Sequence, residues 1–179
     1  QWQAQVAFRT NLSSQAGKKY DFYCVVESSN DLPGMTIKLT KTGDDNTFYF
    51  ADKHVIKAYE DYVYVVDGMD GIDMEKISLF FDFGGNPAGT EVTIKDIVFR
   101  EHVESGNAGG GSGATVIDPN SPDNMWLSMS VEEMFYYYAP GWNQIDNPET
   151  EVNGNSLTVT LPEATTDQWQ AQVAFRTDL

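Results

Sequence analysis

Gln3, Gln5, Arg9, Lys38, Ser78 and Asp82 occupy polar positions that alternate with apolar ones along strand-like runs, and Phe80 and Tyr49 accompany them. Planar amides, charged tips and flat rings gathered on one sheet face suit a sugar. Aromatic rings cover the apolar faces of a pyranose, and polar tips pair with its hydroxyl edges. Taken singly, each of these residues reads as solvated sheet surface; the group invites the binding reading.

Reactive chemistry is harder to find. The sequence has no GxSxG, HExxH, Walker loop or GxGxxG. Its two histidines, His54 and His102, stand far apart in the chain, which argues against a zinc site. Asp70, Asp73 and Glu75 have a spacing that invites a calcium reading, but no EF-hand pattern surrounds them and solvated loop charge is the expectation. Carboxylates are plentiful, yet nothing singles out a pair for glycoside hydrolysis. The expectation is a non-enzyme. The one cysteine, Cys24, sits in the apolar run Phe22-Tyr23-Cys24-Val25-Val26, so a buried structural thiol is expected and an intrachain disulfide is excluded.

Composition narrows the partners. With 27 acidic against 11 basic residues the formal net charge is −16. Phosphate backbones and anionic lipid surfaces repel such a chain, so nucleic acid is not expected as a partner. No apolar run reaches the roughly 18 residues that a membrane helix needs, so no membrane insertion is expected. A neutral polysaccharide carries no such penalty. Aromatics make up 13% of the 179 residues, which excludes a disordered chain.

The elements that must position the polar set read as β almost throughout. Met35, Ile37 and Leu39 alternate with polar residues, as do Leu157, Val159 and Leu161. Ile77, Leu79, Phe81 and Phe83 share one face of a run whose other face carries Ser78, Phe80 and Asp82. Tyr62-Val63-Tyr64-Val65-Val66 and Val92-Thr93-Ile94-Lys95-Asp96-Ile97-Val98-Phe99 are further strands. Turn residues between them point to an all-β sandwich or jelly roll. Only residues 130–134, with Ser130 and Glu133 at capping-box spacing, suggest a helical turn.

One segment occurs twice. Residues 1–12 and 168–179 agree at eleven of twelve positions, and only Asn11 against Asp178 differs. Between them lies a Gly- and Ser-rich linker, placed at residues 105–123. Residues 1–104 read as the C-terminal part of one module copy and residues 124–179 as the N-terminal part of the next. Residues 124–179 followed by 13–104 make 148 residues, the size of one domain. The chain therefore reads as permuted or cut from a tandem array. A sheet has one slot for the repeated strand. Either the chain closes on itself with one copy left over, or chains exchange segments and form a domain-swapped homodimer.

These motifs, in their order, resemble the family 4 carbohydrate-binding modules and their relatives in families 16 and 22. The resemblance rests on Gly141-Trp142, Trp169-Gln170-Ala171-Gln172 (equally Trp2-Gln3-Ala4-Gln5), Ala16-Gly17-Lys18-Lys19-Tyr20, Thr47-Phe48-Tyr49, Phe81-Asp82-Phe83-Gly84-Gly85 and the run from Val92 to Phe99. The tandem arrangement is similar to modules inserted in xylanases of gut Bacteroidetes. The resemblance implies a jelly roll with a groove across its concave sheet that binds xylan or β-glucan and targets an appended glycoside hydrolase outside the cell. It implies platform aromatics at Trp2 or Trp169, a second aromatic at Tyr49 beside Phe48, and polar partners at Gln5 or Gln172, Arg9 or Arg176, Lys38, Ser78 and Asp82. Alternation alone would put Trp2 on the core side with Ala4, Val6 and Phe8; a groove role needs alternation to break where the strand starts. A structural calcium is implied as well, although Lys95 occupies the position where the family often has an acid and Asp96 follows it. The alternative is a structural or protein-interaction sandwich.

Overall fold

The computed structural model describes residues 12–103, 117–126, 135–138, 143–145 and 149–176. Eleven strands follow in chain order: β1 Lys19–Ser28, β2 Leu32–Lys41, β3 Asp44–Ile56, β4 Tyr62–Asp70, β5 Ile77–Asp82, β6 Glu91–Glu101, β7 Phe135–Tyr138, β8 Asn143–Ile145, β9 Glu149–Asn153, β10 Ser156–Thr160 and β11 Ala171–Arg176. A 3-10 turn, Gln168–Gln170, precedes β11. Among the described residues no helix is long and apolar enough to cross a membrane. The helical turn expected at residues 130–134 lies outside the described residues, as does Gly141-Trp142.

The strands form two antiparallel sheets, a β-sandwich, ordered β4-β1-β6-β10-β9 and β3-β2-β5-β11-β7-β8. Each sheet combines strands from residues 13–104 with strands from residues 124–179. The slot for the repeated strand, between β5 and β7, is filled by the second copy, β11. The first copy, residues 1–11, lies outside the described residues. The expected linker does not run unattached to residue 123. Asn124 is buried and ties residues 117–126 to β6: its Nδ2 donates to the Ile97 carbonyl at 3.0 Å and the Pro119 carbonyl at 2.9 Å, and its Oδ1 accepts from the Phe99 N–H at 3.1 Å.

Alternation explains which side chains lie between the sheets. Met35, Ile37 and Leu39 from β2, Ile77, Leu79 and Phe81 from β5, and Ala171 and Val173 from β11 are all fully buried. They face Tyr20, Phe22, Cys24 and Val26 of β1 and Ile94 and Phe99 of β6. Tyr20 stacks on Phe99 with ring centroids 5.2 Å apart, and Phe22 meets Phe50 at 5.0 Å.

Along β6 the apolar spacing lengthens from two to three between Ile94 and Ile97, and the structure shows why. Tyr23 pairs with Val98 but Val25 with Lys95, a bulge in which Asp96 adopts φ +55°. The added residue restores Ile97 and Phe99 to the core face.

Burial pushes the Cys24 thiol far above its ordinary value. The folded protein is therefore expected to resist alkylation and to label only on unfolding. Mass spectrometry of iodoacetamide-treated samples with and without denaturant checks this; equal labelling in both would mean the thiol is not sealed.

Candidate functional site

The outward face of the six-stranded sheet gathers part of the expected set. Asp82 stands at its centre, opposite Thr36 of β2 on one side and Gln172 of β11 on the other. The Gln172 amide donates from Nε2 to Asp82 Oδ1. Lys38 lies in register with Phe80, and its positive charge favours the ionised form of Asp82. Burial outweighs both the amide and the lysine, and the Asp82 carboxyl is pushed up to about 6.

Trp169 lies in the short turn that leads into β11. It sits two residues before β11 starts and is 42% exposed. Alternation breaks at this point: Ala171 and Val173 go inward while the indole stays out. The turn is fixed from both ends. Gln170 is buried, and its Oε1 accepts from the N–H groups of Thr166 and Asp167, both at 2.8 Å. Gln168, on the other side of Trp169, donates from Nε2 to Thr36 Oγ1 at 3.0 Å. Gln168 and Thr36 carried no signal in the sequence beyond membership of the repeat and of a strand.

The double glycine after β5 makes the approach of this turn possible. A Cβ on Gly84 would lie 1.9 Å from the Asp167 carbonyl oxygen. The Gly85 N–H, at φ +82°, donates to Thr165 Oγ1 at 2.6 Å.

Other expected residues are placed differently. Phe48 is 46% exposed and lies opposite Thr40. Tyr49 turns to the core side instead of the outward face. Its ring contacts Tyr20 and Phe99, and its hydroxyl accepts from the Ile72 N–H at 3.0 Å. The register of β2 with β3 slips between Leu39 and Thr40, so Phe50 and Phe48 have partners and Tyr49 is the added residue. Ser78 faces outward but is buried, bonded to the Thr42 hydroxyl at 2.6 Å. Phe80 is buried too. The backbone of Arg176 pairs with Ser78. Trp2, Gln5 and Arg9 lie outside the described residues.

The acids read as solvated loop charge have nearby partners. Asp70 pairs with Lys19 at 3.0 Å, and Asp73 accepts from the Ala16 N–H at 2.8 Å. Lys95 lies between Glu27 and Asp61, at 2.9 and 2.6 Å.

No family model matches the chain, and no curated protein matches it.

Two tests follow from this geometry. In Gly84→Ala the added methyl meets backbone, so the turn carrying Trp169 must move. A loss of about 1–3 kcal/mol is expected in chemical denaturation, and an unchanged midpoint would contradict the contact. Asp82 is easier to protonate folded than unfolded. Its ionisation therefore costs stability as pH rises from near 4, and the full cost is present above about 6. Asp82→Asn keeps an acceptor for Gln172 and is expected to be the more stable form at pH 7 by about 1–3 kcal/mol, with the difference vanishing below pH 4. Denaturation of both proteins across that range measures it.

Proposed function

We propose that this protein is a non-catalytic carbohydrate-binding module for a soluble β-glycan, with xylan the first candidate, and that it serves to bring an appended glycoside hydrolase to that polymer outside the cell. The observation that carries the reading is the exposed Trp169, whose turn is tied to the sheet by the Gln168–Thr36 bond, together with the neighbouring row of Thr36, Asp82, Gln172 and Lys38. An indole face accepts the apolar side of a pyranose, and the row supplies donors and acceptors for its hydroxyls. The net charge of −16 disfavours anionic polymers and carries no penalty for an uncharged one. Affinity is micromolar or weaker, because a flexible sugar loses freedom and its hydroxyls lose water.

A hydrolase is disfavoured on the same face. Asp82 has the raised pKa of a general acid, but no second carboxylate shares its face among the described residues of β2, β5 and β11. Glycoside hydrolysis by the common route needs two.

Trp2 and Trp169 hold the same place in the two copies of the repeated segment, so both must be replaced to remove the platform. The Trp2→Ala, Trp169→Ala double variant is expected to lose retardation in xylan-containing affinity gels while its circular dichroism stays that of the parent. If mobility in xylan is unaltered by the double substitution, the assignment is wrong. Binding to none of a panel of glycans by the parent protein favours a structural or protein-contact module.

A further inference from the structure

A second cluster lies on the outward face of the other sheet. Asp21 of β1 is buried, and two strands converge on it. From β6 and the residue after it come Arg100, whose Nε donates to Asp21 Oδ2 at 3.1 Å, and His102, whose Nδ1 lies 2.6 Å from Asp21 Oδ1. From β4 comes a bulge. Tyr20 pairs with Met69 and Phe22 with Val66, so Asp67 and Gly68 together oppose Asp21. Gly68 adopts φ +64° and donates its N–H to Asp21 Oδ1 at 3.0 Å. The same bulge brings Asp67 Oδ1 to 3.3 Å from His102 Nδ1.

We infer that His102, Asp21 and Asp67 form a binding site for a divalent transition-metal ion of the zinc type, built on the β4 bulge and independent of the glycan face. One ligand atom from each residue lies within 4.8 Å of the others. Tetrahedral zinc with nitrogen and oxygen ligands at about 2.0–2.2 Å needs ligand atoms separated by about 3.3–3.6 Å. The His102–Asp67 separation already meets this. The shorter His102–Asp21 contact must open by about 1 Å as the metal replaces the shared proton. Asp67, with its side chain 74% exposed, is able to adjust.

Two features beyond the ligand atoms belong to a built site. Arg100 holds the far oxygen of Asp21, and the Gly68 N–H holds the near one, which orients the carboxylate as outer-shell partners do. A cavity of about 360 Å³ opens beside the cluster, lined by Asp21, Tyr23, Val65, Asp67, Arg100 and Ile117 among others. It borders both carboxylates of the site, Asp21 and Asp67. The imidazole selects the class of ion: nitrogen ligation favours zinc-like cations over calcium or magnesium, which prefer oxygen alone.

The test uses the full chain, freed of metal with a chelator and titrated with zinc chloride in a calorimeter. The expected result is one ion per chain, with affinity falling about tenfold or more in His102→Ala and in Asp67→Ala. His54→Gln, which changes the other histidine, should leave binding as in the parent. Cobalt(II) should give a visible d–d absorption that the His102 variant lacks. Asp67 is exposed, so its variant keeps the test valid if the His102 variant fails to fold. Absence of zinc binding by the parent, equal binding by the Asp67 variant, or calcium binding as tightly as zinc would each overturn the inference.

Discussion

The pairing of β11 with β5 holds the candidate site together. Five residues of each strand face one another, from Gln172 against Asp82 to Arg176 against Ser78. Their inward side chains, Val173 and Phe81, are fully buried in the sandwich. Their outward ones include the amide and carboxylate that bond across the ladder. Because the 3-10 turn runs directly into β11, the same pairing sets where Trp169 stands. Core packing and the position of Trp169 thus depend on one strand being seated in one register, and that strand is the one the chain carries twice.

Burial shapes the chemistry of both sheets. At the edge where β3 meets β4, polar groups lie between the sheets: the Tyr64 hydroxyl donates to Asp52 at 2.7 Å, and the Tyr62 hydroxyl lies 2.8 Å from His54 Nδ1. Loss of solvent lowers the His54 pKa, so the imidazole is held neutral there. Asp82 shows the opposite response of an acid to the same cause. Asp21 keeps its charge in the interior of a cluster because a guanidinium, an imidazole and an N–H converge on it.

Period-two patterning made much of this legible. The inward and outward faces of β2, β5 and β10 follow their sequence alternation, and so does the outward placement of Ser78, Phe80 and Asp82. What alternation missed lies where the ladder departs from regularity. Tyr49 goes inward because a register slip adds a residue to β3. Trp169 goes outward because β11 begins two residues after it. Ser78 is outward yet buried, and its hydroxyl is bonded to that of Thr42. The Asp21–His102 contact joins residues 81 positions apart across a bulge, and no local spacing encodes it.

The ends of the five-stranded sheet are guarded unequally. β9 is exposed along its whole length and carries Glu149 and Glu151, so another strand approaching it meets charge at once. β4, the opposite end, presents Val63 and Val65 about half exposed, with Asp61, Asp67 and Asp70 around them. The net charge of −16 opposes the approach of two β4 edges by repulsion. Concentrated salt or mild acid removes that repulsion without touching the valines, and precipitation in those media would begin at this margin.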